Sequence, residues 1–287
     1  MTITEVLRGY LTSLSVRAKP STVKTTRCHV RRLDAGLGPK MAAALGRSTV
    51  EAYAATRLET GVSRATVNGE LRVLRAALSC AVENRLITEA PCRVRPLKEG
   101  RKLPRVLTPQ QVDHLVECAA EPWVKAAILL AARAGLRHQE ILHLQWARVE
   151  WRTKTIIVAG VGDWTPKSHH EREVPFGRTI NVALTNLLPA FGGWVFPWCN
   201  GTLRSSADLE VRATFKAAGL YNPDDKPGLH MLRRTWATEL LGRGADIETV
   251  RQLGGWADLS TVQRYVTSTD ERKRAAIALL EDTDDSV

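Results

Sequence analysis

Between His230 and Tyr265 the chain gathers side chains able to act on a phosphate ester. His230 and Arg233 stand three residues apart in HMLRRTWATELL. On a helix that is one turn, so an imidazole and a guanidinium can reach one phosphate. A Leu-Gly-Gly-Trp turn, Leu253 to Trp256, follows, and Tyr265 comes nine residues after that Trp. A phenol, an imidazole, a guanidinium fork and an indole N–H are the parts of a metal-free phosphoryl-transfer site. Such a site also needs a second cation and a proton donor. Gly135-Leu136-Arg137 offers an Arg just past a glycine-terminated helix, with Glu140 three residues on to fix or neutralise a neighbour. TPKSHHEREVP offers Lys167 at a hairpin tip. Taken singly, each has a plainer reading: Arg137 and Glu140 as a surface ion pair, Lys167 as a solvated loop residue, Trp256 and Tyr265 as core aromatics. The adjacent His169 and His170 suggest a metal, but no i+4 or Cys-x-x-Cys partner is near.

A chain of 287 residues suits two domains, each able to bury its own core. No apolar run approaches 18 residues and the N-terminus lacks a signal-peptide core, so a cytosolic protein is expected. The five cysteines are scattered, with neither zinc-site nor disulfide-framework spacing, which fits a reducing compartment. The net charge of +11 is unevenly placed. Residues 1–103 hold 19 Lys and Arg against 8 Asp and Glu, whereas 104–287 hold 22 of each. A basic module of this kind is the footprint of a polyanion partner, though it also serves solubility.

The elements that must position these residues follow from periodicity. Helices are expected over 4–14, over 21–35 with Ser21 as N-cap, over about 48–58 and over about 63–84. In the last, Val67, Leu71, Leu74, Leu78, Ala81 and Val82 make an apolar face, and Arg64, Asn68, Arg72 and Arg75 form a second stripe. Arg and Asn suit bidentate contacts with guanine and adenine edges, so the stripe fits a major groove as well as a solvated face. PCRVRPLKEGRKLP, 91–104, reads as an exposed basic linker, with Arg101 and Lys102 placed to follow a phosphate backbone. Thr108 caps a new helix with Pro109 at its first position. Beyond it come helices over 124–135 and from 139, then strands near 154–159 and 172–176 as a hairpin or small sheet. Helices follow over 182–188, 206–218, 231–243, 247–252, 260–265 and 271–280, and the acidic tail reads as disordered. The expected fold is mainly α with a small β-sheet. The expected division is an N-terminal module over 1–97, a basic linker over 98–103 and a larger domain over 104–287.

GLRHQEILHLQW, TPKSHHEREVP, LHMLRRTWATELL and LGGWADLSTVQRY, in this order, resemble the successive motifs of the tyrosine recombinases, or phage-type integrases. The resemblance covers essentially the whole chain. It implies an α-helical, SAM-like core-binding domain and a mixed α/β catalytic domain that together form a C-shaped clamp on DNA. It implies site-specific recombination through a covalent 3′-phosphotyrosyl intermediate, with no metal, cofactor or ATP. Position by position, it makes Tyr265 the nucleophile, Arg137 and Arg233 the clamps on the non-bridging oxygens, and Lys167 the proton donor to the leaving 5′-oxygen. His230 takes or shares the tyrosine proton, Glu140 braces the site from behind, and Trp256 donates to the phosphate. Trp256 stands where many members have His, although the Cre type also has Trp there; indole cannot accept a proton, so acid–base work falls on His230 and Lys167. Arg234 also departs, standing where His is common.

The chain opens directly into the core-binding module, which favours the Xer, Cre or integron type, without the arm-binding domain of lambda-type integrases. The implied partners are double-stranded DNA with inverted-repeat half-sites and further copies of the chain, two on a site and four in a synapse, with room for accessory DNA-bending or directionality proteins. No membrane is implied, and the location is cytoplasmic, on the nucleoid. The last helix, with Ala275, Ala276, Leu279 and Leu280 as its apolar face, packs either on a neighbouring protomer or on its own domain. Three other classes meet these residues less well. A silent DNA-binding protein has no use for the full set of catalytic types, a type IB topoisomerase shares the chemistry but acts as a monomer, and a two-metal nuclease needs clustered carboxylates that the sequence lacks.

Overall fold

Thr2 and Glu5 cap each other and so decide where the chain first turns helical. Thr2 Oγ1 accepts from Glu5 N at 3.3 Å and Glu5 Oε2 accepts from Thr2 N at 2.7 Å. The computed structural model describes residues 1–100, 105–162, 164–166, 171–187 and 193–266. Arg101, Lys102, Lys167, His169, His170 and the expected helix over 271–280 with its acidic tail lie outside the described residues. The chain divides into two compact units, Met1–Lys102 and Leu103–Val287.

The first unit holds α1 (Ile3–Arg17), α2 (Pro20–Leu37), α3 (Arg47–Glu59) and α4 (Arg64–Glu83) around Ile3, Leu7, Leu33, Leu74 and Leu78. Ser63 caps α4, accepting from Thr66 N at 3.2 Å. Ser21 does not cap α2. Lys19 occupies that position, and Pro20, with its φ already suited to a first helical turn, begins the helix one residue before Ser21. The helix continues through Gly36, where a Cβ would collide with the Tyr53 ring. On the buried side of α4, Glu70 Oε2 accepts from Tyr53 Oη at 2.8 Å and Arg57 Nε at 3.0 Å, and Glu70 Oε1 accepts from Arg57 Nη2 at 2.8 Å. Burial would raise the Glu70 carboxyl, but these bonds hold it below its usual range.

The segment expected as an exposed linker begins against α4. Val94 is buried in the first unit's core and Leu97 packs on it. Asn68 Oδ1 accepts from Leu97 N at 2.7 Å, and Asn68 Nδ2 donates to Leu97 O at 3.0 Å and to the Glu99 carboxylate. Arg64 Nη1 donates to Lys98 O at 3.1 Å.

The second unit starts with α5 (Pro109–Glu117), opened by a Thr108–Gln111 capping box. The apolar α6 (Pro122–Arg133) is its central helix, and α7 (His138–Leu142) is a single turn after it. β1 (Val149–Glu150), β2 (Thr155–Val158) and β3 (Arg172–Pro175) form an antiparallel sheet in that order, with Ile156 opposite both Val149 and Val174 and Val158 opposite Arg172. Of the expected hairpin or small sheet, the structure has the small sheet, with β1 as a third strand that, at two residues, is too short to show alternation in the sequence. Next come α8 (Arg178–Thr185), α9 (Asp208–Ala217), α10 (Leu229–Gly242), α11 (Ile247–Gly254) and α12 (Leu259–Gln263). α10 packs along α6 on one side and meets α11 on the other. A small separate core of Trp236, Leu241, Val250 and Val262 joins α10, α11 and α12 and carries Trp256 and Tyr265 at its margin. Among the described residues no helix is long and apolar enough to cross a membrane.

Removing the Glu70 carboxylate strands a guanidinium and a phenol in the first unit. Glu70→Ala is expected to destabilise that unit by about 3 kcal/mol. All eight tryptophans lie beyond residue 102, so the loss should appear in urea unfolding followed by far-UV circular dichroism, with little change in the tryptophan fluorescence transition.

Candidate active site

Two glycine-ended helices build the site. α6 is followed by Gly135, with φ of +65° and no room for a Cβ against the Trp236 indole. The chain then reaches Arg137, the N-cap of α7, and Glu140 in its first turn. Glu140 Oε2 accepts from Arg137 N at 2.8 Å, and Glu140 Oε1 accepts from Arg137 Nη1 at 2.7 Å. α11 ends at Gly254, followed by Gly255 with φ of +63°. A Cβ on Gly254 would collide with the Trp256 ring, and one on Gly255 would crowd the Arg172 guanidinium.

Carbonyls at a helix C-terminus lack partners within the helix and carry its negative dipole end. Here three successive carbonyls each receive a different arginine. Leu253 O accepts from Arg172 Nε at 2.8 Å, Gly254 O accepts from Arg233 Nη2, and Gly255 O accepts from Arg137 Nη2 at 2.7 Å. Arg233 Nη1 also donates to Gly135 O, so one guanidinium ties the ends of both glycine-stopped helices. Arg172 closes the group from the sheet, donating from Nη2 to Glu140 Oε2 at 2.6 Å and from Nη1 to Glu140 Oε1 at 3.0 Å.

Burial opposes charge throughout this cluster, and pairing decides the outcome. Burial alone would raise the Glu140 carboxyl, but Arg172 and then Arg137 outweigh it and bring it down to about 2. Arg233 has only 1% of its surface exposed. Burial first, and the like charge of Arg137 second, pull its guanidinium down to about 9, still protonated at neutral pH. The Trp256 ring lies over that guanidinium, 4.2 Å from Cζ to centroid. Tyr265 leans on the same indole at 5.8 Å between centroids, and Trp236 stacks beside it at 6.1 Å. The nucleophile candidate is thus one ring away from the buried clamp.

The structure brings together Arg137, Glu140, Arg233, Trp256 and Tyr265. His230 lies in the first turn of the same helix as Arg233, exposed where Arg233 is buried. Arg172 has no counterpart among the candidates drawn from residue type. Its signal was the period of two in β3, which puts it on the face of buried Val174. Arg64, Arg72 and Arg75 are exposed on α4, whereas Asn68 is buried with both ends of its amide engaged by residues 97–99. In this conformation Asn68 is a latch for that segment and presents no edge to a base. Among the described residues no three His, Cys, Asp or Glu side chains gather as a metal-binding group.

Residues 105–272 match the model of the phage integrase family. The tyrosine recombinase XerC of Pediococcus pentosaceus is 28% identical over 246 residues, 79% of each chain. The tyrosine recombinase XerD of Proteus mirabilis is 30% identical over 238 residues, 78% of this chain and 74% of its own. The Tn1549 transposon integrase, solved in complex with transposon right end DNA, superposes with a TM-score of 0.79 at 19% identity, covering 98% of this chain and all of that one. The chain belongs to the phage integrase family. It is a tyrosine-type, site-specific DNA recombinase.

The folded Glu140 carboxyl titrates near 2, below an unfolded value of about 4.3, so its ionised form stabilises the fold above that pH and the contribution is lost as pH falls toward 2. Wild type should exceed Glu140→Gln in stability by about 3 kcal/mol at pH 7. In urea unfolding followed by tryptophan fluorescence, that margin should narrow from pH 5 to pH 3; a constant margin would show that the carboxylate charge is not what holds the arginines.

Proposed function

We propose that Tyr265 attacks the scissile phosphodiester, its phenolic oxygen forming the new P–O bond as the bond to the 5′-oxygen breaks. The products are a 3′-phosphotyrosyl ester and a free 5′-hydroxyl. The observation that carries this reading is the convergence of Arg137, Arg172 and Arg233 on one helix end, with the Tyr265 ring tilted against the indole that covers Arg233. A pentavalent phosphorane gathers negative charge on its equatorial oxygens, and guanidinium forks already held in place stabilise it without reorganising. The named bonds use two of the five N–H groups on Arg137 and two on Arg233. Arg137 and Arg233 clamp the non-bridging oxygens, while Glu140 holds Arg137 and Arg172 in register.

Proton movements complete the step. The phenol, with an ordinary pKa of about 10, passes its proton to His230, and Lys167 gives one to the departing 5′-oxygen. Trp256 donates its indole N–H to the phosphate. Because the tyrosyl ester conserves the phosphodiester, the 5′-hydroxyl of the partner strand rejoins it without ATP. Residues 1–97 form the DNA-binding module, with Arg64, Arg72 and Arg75 facing the duplex and Arg101 and Lys102 following the backbone through the 98–103 linker, and 104–287 form the catalytic domain. Two protomers occupy inverted half-sites and four make the synapse, the helix over 271–280 docking between neighbours. The reaction takes place in the cytoplasm, on the nucleoid.

Incubation with a nicked suicide substrate in EDTA, followed by a denaturing gel, tests the chemistry. Wild type should give a protein–DNA adduct and Tyr265→Phe none; an adduct that survives the substitution removes Tyr265 as nucleophile. Arg233→Ala should slow adduct formation by about 10²- to 10³-fold. For the first unit, Arg72→Ala should shift sequence preference in a selection from randomised half-sites. A uniform loss of affinity, with the salt slope reduced by about 1, would mark Arg72 as a phosphate contact instead.

A further inference from the structure

Arg251 is absorbed by none of the roles above, yet it grips the residue that joins the arginine cluster to Tyr265. Leu253, Gly254 and Gly255 give their carbonyls to Arg172, Arg233 and Arg137. The next carbonyl along the chain, Trp256 O, accepts from a fourth arginine, Arg251 Nη1, at 2.8 Å, and Ala257 O accepts from the same nitrogen at 3.5 Å. Trp256 N in turn donates to Arg251 O at 3.0 Å, the bond by which a helix closed by a left-handed glycine satisfies one of its last carbonyls. One arginine thus holds Trp256 by both its N–H and its carbonyl. The guanidinium is itself fixed, because Nε and Nη2 donate to the two oxygens of Glu248 at 2.7 and 2.6 Å. An Arg and Glu one turn apart on a helix ordinarily contribute little to stability; here the pair aims the third nitrogen.

The bond to Trp256 N sets how the chain arrives at Trp256, and the bond to Trp256 O sets the direction in which it leaves toward α12. Between them lies the indole that covers Arg233 at 4.2 Å and meets the Tyr265 ring at 5.8 Å. That ring is half-buried, backed by Trp236 at 6.1 Å, so its tilt depends on the backbone that carries it. We infer that Arg251 is a positioning residue, setting the Trp256 indole and, through it, the distance between Tyr265 and the Arg233 guanidinium. All three of its nitrogens are engaged within α11 and the turn after it, which leaves Arg251 out of the phosphate clamp. The inference rests on the reading of Tyr265 as the attacking group. A displacement of about 1 Å between reacting groups costs on the order of 10²-fold in rate.

Single-turnover adduct formation by the full chain tests this on a suicide half-site with sulfur in place of the bridging 5′-oxygen. The Tyr265 oxygen forms the P–O bond as the P–S bond breaks and the thiolate leaves with the electron pair, a ready departure that keeps slow variants measurable. Arg251→Ala should slow the step by about 10- to 10²-fold, with half-site affinity and final adduct yield as in wild type. Arg251→Lys, whose ammonium still donates to Trp256 O, should recover most of the rate. In a Trp256→Ala background the Arg251→Ala change should cost less than about 2-fold, because the ring it sets is gone. A full further loss in that background overturns the inference, as does an unchanged rate for Arg251→Ala or an Arg251→Lys rate no better than that of Arg251→Ala. A loss confined to affinity would make Arg251 a DNA contact, and one confined to yield would make it a fold-stabilising residue; either also overturns it. An adduct formed by Tyr265→Phe overturns the reading of the attacking group and this inference with it, whereas no adduct from Tyr265→Phe beside an unchanged Arg251→Ala rate overturns the inference alone.

Discussion

Three guanidinium groups packed round one point repel one another, and the end of α11 is what makes that arrangement stable. Leu253, Gly254 and Gly255 each turn a carbonyl toward a different arginine, and the helix dipole adds negative potential there. Among the described residues, Glu140 supplies the carboxylate of the cluster, shared between Arg137 and Arg172. Among the described residues three guanidinium groups share this one carboxylate, which leaves the cluster with a net attraction for an anion. The Gly-Gly pair is a geometric condition of this arrangement, because a side chain at 254 would displace Trp256 and one at 255 would press on Arg172.

The same end of α11 connects the arginine cluster to Tyr265. Trp256 follows directly on Gly255, covers Arg233 and supports Tyr265, while Trp236 on α10 backs the indole. Its ring therefore has a packing task whatever its N–H does toward a phosphate. The small core of Trp236, Leu241, Val250 and Val262 holds α11 and α12 to α10, the helix that carries Arg233 and His230. A shift of α12 that moves Tyr265 would thus be felt first at the Trp256 ring and then at the most buried arginine.

In the first unit charge and packing are divided differently. Glu70 and Arg57 form an ion pair turned inward, where it fastens α3 to α4, and the exposed arginines of α4 lie on other faces. The segment through Leu97 and Glu99 lies along that helix and engages Asn68. A residue whose type suits base reading is here spent on holding the backbone of its own chain.

The local text of the sequence was sufficient for much of this. Thr108 acts by bonding to backbone three residues away, so that cap and its helix start follow from order alone, as does the apolar face of α4; Ser21, read as a cap on the same grounds, is displaced by Pro20. Tyr265, the H-x-x-R pair and Arg137 with Glu140 were likewise legible as candidates, because the motifs that carry them are stretches of local sequence. What only the tertiary structure decided are contacts with no local signature. Arg137 meets Gly255 from 118 residues away, Arg233 meets Gly135 from 98, and Arg172 meets Leu253 from 81. Every residue carries a carbonyl, so no pattern of side chains announces which three will receive an arginine. The engagement of Asn68 by residues 97–99 and of Arg172 by Glu140 and Leu253 was hidden for the same reason: a polar side chain states what it can bond to, and packing alone decides which partner comes within reach.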